Sequence, residues 1–168
     1  MESLFDIAYL IDLCGKVEGR TRIQKMVYIL QYLGYPLNED FSYSYFGPYS
    51  DELRTEVDIL TSVDILQETL KGTTYVYEPT SQMENFLKDS DKLLELKSSP
   101  KFSKLIDKLK VAPIPVLEVA STIFFLKKDG LKNKKDIGVV LNDLKPNRKQ
   151  YFNKAFELTA LLDKYRLQ

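Results

Sequence analysis

The chain has 168 residues and contains no histidine, no tryptophan and one cysteine. Without histidine there is no Ser-His-Asp or Cys-His nucleophile pair, no imidazole-bearing zinc site, and no Arg…His pair of the kind HEPN-type ribonucleases need. A single cysteine, Cys14, excludes an internal disulfide, a thiolate metal cluster and CxxC redox chemistry. Cys14 falls at the end of an apolar stripe, where a free thiol is expected to serve as a small core hydrophobe. No apolar run approaches the ~20 residues that cross a bilayer. Met1-Glu2-Ser3-Leu4-Phe5-Asp6 lacks the basic stretch that opens a secretory signal. These features together predict a chain working in a reducing cytoplasm. Neither phosphate-cradling glycine pattern, Gly-x-x-x-x-Gly-Lys-[Ser/Thr] or Gly-x-Gly-x-x-Gly, occurs. No cofactor, metal or small-molecule substrate is expected.

What is present is an ordinary globular composition, 44% apolar and 29% charged. Formal net charge is zero, from 24 basic and 24 acidic side chains, but it is unevenly spread. Residues 1–84 carry 6 basic and 14 acidic side chains, and residues 85–168 carry 18 and 10. Halves of opposite sign suggest a composition boundary and constrain which surface meets a polyanion.

The chain is organised around residues 19–33. Ile23, Met26, Val27, Leu30 and Leu33 recur at helical spacing, and Tyr28, Ile29 and Tyr32 widen the stripe until little of the helix is left for water. Thr21 with Gln24 has the form of a capping box, and Gly34 and Pro36 end the element. Before it, Ser3–Cys14 reads as an apolar helix stopped by Gly15. After it, Phe41 to Phe46 alternates as a half-buried strand, and Gly47-Pro48-Tyr49-Ser50 reads as a turn into a helix capped by Ser50. Ile65–Leu70 and Thr74–Glu78 read as a hairpin around Gly72. Two helices, a strand, a third helix and a hairpin outline a winged helix-turn-helix over 1–80.

Residues 81–168 read as helices only, forming a second part packed on the first. Ser81-x-x-Glu84 has the form of a capping box ahead of Phe86, Leu87, Leu93 and Leu94, and Ser99-Pro100 opens another helix. Pro113 and Pro115 flank a break before an apolar helix over 116–128. Asn133 opens a short helix, and a final helix follows Pro146. The fold class expected is α+β, mostly helical, with a small antiparallel sheet.

Gly-Arg-Thr-Arg-Ile-Gln-Lys-Met-Val-Tyr-Ile-Leu at 19–30, Tyr-Phe-Gly-Pro-Tyr-Ser at 45–50, and Ser121-Thr122-Ile123-Phe124-Phe125-Leu126 followed by Leu144-Lys145-Pro146 resemble the YwgA-like family of uncharacterised prokaryotic proteins. The first two motifs also resemble the Panacea (SocA-like) domain associated with antitoxins. The first resemblance implies a small cytoplasmic protein of winged-helix type and brings no reaction with it.

Several clusters are candidates for contact. Arg20, Arg22 and Lys25 flank the start of the central helix, as a basic rim for phosphate or carboxylate or, the reading favoured, as internal ion pairs with neighbours such as Glu18 or Asp51. Tyr43, Tyr45, Phe46 and Tyr49 form either a stacking platform or, favoured, a cross-strand layer meeting Tyr75 and Tyr77. The helix in the recognition position begins Asp51-Glu52-Leu53-Arg54-Thr55-Glu56-Val57-Asp58, and its acids oppose phosphate. The expectation is therefore a non-enzymatic regulatory module, antitoxin-like or adaptor-like, that binds a protein. The alternative is a DNA-binding regulator using Lys127, Lys128, Lys132, Lys134, Lys135, Lys145, Arg148 and Lys149. The same basic residues also suit the acidic half of a second copy. A metal-dependent nuclease ranks third, on Asp89, Asp91 and Glu95-Leu96-Lys97.

Overall fold

The computed structural model describes residues 2–88, 96 and 98–167. The nuclease-like letters Asp89, Asp91, Glu95 and Lys97, and the apolar Leu93 and Leu94, lie outside the described residues. The fold is α+β and mostly helical, with two small antiparallel sheets.

The elements run α1 (Glu2–Cys14), β1 (Val17–Glu18), α2 (Arg20–Tyr32), β2 (Ser42–Ser44), β3 (Gly47–Tyr49), α3 (Asp51–Ser62), β4 (Leu66–Lys71) and β5 (Thr74–Pro79). Then come α4 (Met83–Leu87), α5 (Pro100–Val111), α6 (Ile114–Lys128), α7 (Lys134–Leu144), a 3-10 turn (Pro146–Tyr151) and α8 (Phe152–Asp163). One sheet has the strand order β1-β5-β4, with Val17 opposite Tyr77 and Leu66 opposite Pro79. The other is the isolated ribbon β2–β3, pairing Tyr43 with Pro48 and Ser44 with Gly47.

Helix α2 is the centre, as its sequence predicts: every residue from Ile23 to Leu30 is buried, Gln24 and Lys25 included. Helix α6 is its counterpart, buried from Val116 to Phe124. The two lie together, with the Tyr32 and Phe124 rings 4.5 Å apart. One core cluster runs from Ile7 on α1 through α2, α3 and α5 to Leu117, Phe124 and Leu162. The opposite side of α6, including Val119 and Ile123, packs a second cluster against Ile137, Leu141 and Ala155. Apolar burial of this extent is the main term holding the helices in place. Cys14 is part of the first cluster, and burial pushes its thiol up to about 12.

Several local expectations need correction. Helix α2 is not capped by Thr21. Its N-cap is Gly19, at φ +98°, whose N–H donates to the Tyr75 carbonyl at 2.8 Å and ties the helix start to β5. That φ is open to glycine and strained for other residues. Nor is Ser81 the cap of α4, which begins after Gln82, whose N–H donates to the Thr80 hydroxyl at 3.1 Å. Pro115 lies inside the first turn of α6, where its missing N–H leaves no hydrogen bond unmade. The caps at Ser50, Ser99 and Asn133 are where the sequence places them: each accepts from the backbone N–H three residues on, at 3.1, 3.3 and 2.8 Å.

Gly47-Pro48 is strand rather than turn, and the turn falls two residues earlier, on Tyr45-Phe46. Proline is tolerated there because a two-stranded ribbon leaves edges where no N–H is required.

Candidate functional site

The residues that the sequence singles out around 19–25 and 45–58 are brought together by two side chains on α2. The Gln24 side-chain amide donates to the Ser50 carbonyl at 2.8 Å, and its oxygen accepts from the Ser50 N–H at 2.9 Å. It thereby acts as a strand partner for the residue that caps α3. The next residue, Lys25, is 1% exposed and donates from Nζ to the Pro48 carbonyl at 2.7 Å. Burial, and then the nearby Lys145 charge, pull its ammonium down to about 8, against an opposing pull from Glu118.

A second buried ammonium holds the other side of the ribbon. Lys145, 4% exposed, donates to the Tyr45 carbonyl and to Glu118 Oε1, both at 2.9 Å. The guanidinium of Arg148 reaches the other Glu118 oxygen at 3.4 Å. The Tyr43 ring lies 5.9 Å from the Lys145 ammonium and 5.2 Å from the Phe125 ring. Gly47 sits against α6 so closely that a Cβ there would stand 2.8 Å from Thr122 Oγ1. Two lysines and one glycine thus fasten a ribbon whose turn is left in solvent. Tyr45 is 82% exposed and Phe46 56%, their rings edge to face at 5.0 Å.

Beside that turn lies a cavity of about 190 Å³ between α2, α3 and the ribbon. Its apolar lining comes from the buried Ile23, Leu53 and Val57, with Phe46, Tyr49 and Tyr77 around them. Arg20, Arg54 and Asp58 are its charged neighbours. Arg20 donates to the Tyr77 hydroxyl at 2.6 Å and to Glu68 at 2.7 Å, and its guanidinium lies 4.6 Å from the centre of the Tyr75 ring. Arg54 and Asp58, one turn apart on α3, stand 3.9 Å apart.

The basic cluster is therefore dispersed. Arg20 turns to β4 and β5. Arg22 donates to the Leu109 and Ala112 carbonyls, both at 2.8 Å, and pins the α5–α6 corner. Lys25 is inside. The internal pairing expected with Glu18 or Asp51 is replaced by backbone carbonyls and Glu68; Arg22 meets Glu18 through the latter's carbonyl, at 3.2 Å. The aromatic layer is corrected too. Tyr75 and Tyr77 belong to the other sheet, and Tyr43 packs on Phe125 instead.

No protein-family model matches the chain. Over 123 residues it is 32% identical to the uncharacterized protein YwgA of Bacillus subtilis (strain 168), covering 71% of this chain and 70% of YwgA. The chain belongs to the YwgA-like family.

The remaining candidates of this YwgA-like chain divide by exposure. On α3, Asp51, Glu52, Arg54 and Asp58 face solvent, while Glu56 turns inward and is buried. There the Ser3 hydroxyl bridges Glu56 and the buried Glu39, donating to either carboxylate. Burial, and next the Glu39 charge, push the Glu56 carboxyl up to about 7, the Ser3 hydrogen bond opposing. Among the basic residues of the C-terminal half, Lys132, Lys134, Lys135 and Lys149 are exposed, and Lys134 lies over the Phe156 ring at 5.0 Å. Lys145 does not join that surface, and Arg148 is drawn to Glu118. Among the described residues no three metal-ligating side chains converge, and no helix is long and apolar enough to cross a membrane.

Nothing in the letters marks Lys25 and Lys145 as buried. For Lys25 the signal available is that it stands inside the apolar run Ile23–Leu30; Lys145 follows Val-Leu-Asn-Asp-Leu at 140–144 and has no such signal.

Proposed function

We propose that this YwgA-like protein is a non-enzymatic regulatory module of winged-helix type that acts by binding another protein. The scaffold reading is supported by the succession α1, β1, α2, α3, β4, β5 with the strand order β1-β5-β4. In it β4–β5 is the wing, α3 holds the recognition position, and the β2–β3 ribbon is an insertion between the second and third helices.

The observation that carries the protein reading is the surface α3 offers together with that ribbon. Asp51, Glu52 and Asp58 are exposed on the helix, and Tyr45 and Phe46 are exposed at the ribbon's turn. Acids on the helix that would enter a groove repel the phosphate backbone, which supplies most non-specific DNA affinity. Exposed aromatics beside a cavity are the anchors that protein interfaces favour. Two residues of the alternative DNA track, Lys145 and Arg148, are engaged by Glu118, which weakens that reading.

The test places a photo-crosslinking amino acid, p-benzoylphenylalanine, at position 45 in cells, with the same group at Lys132 as the control. A protein adduct of defined mass from position 45, absent from 132, is the expected result. Fluorescence anisotropy with duplex DNA runs alongside, from about 50 to 200 mM salt. Tight, steeply salt-dependent DNA binding without an adduct would replace this reading with the DNA one.

A further inference from the structure

We propose that the cavity between α2, α3 and the β2–β3 ribbon binds a small carboxylic acid whose apolar body is a single ring or a short branched chain. This goes beyond the protein-binding reading above and stands independently of it.

The argument for an apolar body is size and lining. An apolar cavity of ~150 Å³ accommodates benzene. The space here is about 190 Å³, which suits one ring with one small polar group. Ile23, Leu53 and Val57 are buried side chains in its wall, and a ring laid on them removes further apolar surface from water.

The argument for a carboxylate is excess positive charge and unused donors. Arg20, Lys25 and Arg54 line the cavity against a single acid, Asp58. Arg20 is answered by Glu68 at 2.7 Å. Lys25 is not answered. It is buried with the Pro48 carbonyl as its acceptor, and it enters no ion pair among the described residues. The acid that acts on it, Glu118, is already held by Lys145 and Arg148. Arg54 and Asp58 are 3.9 Å apart, beyond hydrogen-bond reach, and both are more than half exposed. Such a pair is weak, and it leaves the guanidinium its donors. Thr21, one turn before Lys25 on the same face of α2, and Tyr49 add two lining hydroxyls that make no hydrogen bond among the described residues.

With Arg20 set against Glu68 and Arg54 against Asp58, the charge left over is the one on Lys25. A monoanion matches it, and a carboxylate offers two acceptor oxygens to a guanidinium and to hydroxyls. A dianion would bring a second negative charge towards Asp58, and a cation would meet like charge.

The probe is benzoate, titrated into the isotopically labelled full chain at about pH 6.5, below the titration of Lys25. Binding is read by NMR at the Leu53 and Val57 methyls. The comparison probes are benzamide, which is neutral; benzylamine, which has the opposite charge; and acetate, which lacks the ring. The expected result is that benzoate shifts both methyls with a Kd below about 1 mM, and that each comparison probe binds about tenfold or more weakly. Arg54→Gln, a surface change, weakens benzoate about tenfold, leaves benzamide unchanged and does not move the thermal transition. Val57→Phe fills the cavity and abolishes the shifts at Leu53; Arg54→Gln keeps the test decisive if Val57→Phe misfolds.

The proposal is overturned if benzoate moves neither methyl at concentrations up to about 10 mM. It is also overturned if benzamide or benzylamine binds as tightly as benzoate, which would leave a cavity with no preference for an anion. Acetate binding as tightly as benzoate removes the apolar body, and a preference for benzoate that survives Arg54→Gln removes the carboxylate's partner; either result overturns it. The adduct at position 45 reports on the protein-binding reading alone, so each reading can fail without the other.

Discussion

Replacing Gly47 by alanine tests how the ribbon is held. Two penalties act together. The residue sits at φ +90°, where an L side chain is strained by about 1–2 kcal/mol. The new Cβ would also stand 2.8 Å from Thr122 Oγ1, 3.7 Å from Lys25 Nζ and 3.8 Å from Ser121 Oγ. The Thr122 hydroxyl is fully buried and donates to the Glu118 carbonyl at 3.1 Å, so it moves aside only by giving up that bond. Overpacking of this kind adds about 1–3 kcal/mol. The expected loss is therefore about 3 kcal/mol, against a total stability on the order of 5–15 kcal/mol for a domain. Gly15→Ala supplies the reference, because Gly15 has φ +67° and no atom within 4 Å of its virtual Cβ; strain alone predicts about 1 kcal/mol there. The assay is equilibrium urea unfolding of the single variants and of the pair Gly47→Ala with Thr122→Ala. Removing the Thr122 hydroxyl should return about 1–2 kcal/mol of the Gly47→Ala loss as a coupling energy. A Gly47→Ala loss no greater than that of Gly15→Ala, or a coupling of zero, would refute the close approach as the reason for glycine at this position.

Three further outcomes follow from the buried charges. Lys25 titrates near 8 in the fold and near 10.5 when unfolded, so below pH 8 both states carry its proton and the full burial penalty, of order 3 kcal/mol, is present. Between pH 8 and 10.5 the unfolded chain binds more protons, so stability rises with pH; Lys25→Met should lose that rise, read as the pH dependence of the difference between variant and parent in urea unfolding. Glu56 is displaced the other way, from 4.5 to about 7, so the fold binds the extra proton between those values and stability falls as pH rises through 7. Glu56→Gln should accordingly stabilise the protein by about 1–3 kcal/mol at pH 8 and by much less at pH 4.5, and equal effects at both would contradict a carboxylate disfavoured by burial and by the Glu39 charge. Lys145→Ala removes the 2.9 Å partner of buried Glu118 and should destabilise by about 3–5 kcal/mol, whereas Lys149→Ala, on the surface, should change thermal stability by less than about 0.5 kcal/mol.

The sequence by itself determined what depends on neighbours a few residues apart. An apolar stripe wider than one face made α2 buried, Ser50, Ser99 and Asn133 fixed three helix starts, and Gly72 set the β4–β5 turn. Each of these is a local preference that the rest of the chain had no reason to override. Tertiary structure decided the fate of the polar letters inside those stripes. Gln24 is spent on Ser50, 26 positions away, instead of closing a capping box with Thr21; Lys25 and Lys145 leave the basic surface for carbonyls of one ribbon and for Glu118. Glu56 turns from the acidic face towards Glu39 and Ser3. A lysine or glutamate is equally at home in water or buried beside a matching group. The choice between them rests on whether the folded chain delivers that group within hydrogen-bond reach, which spacing along the sequence does not encode.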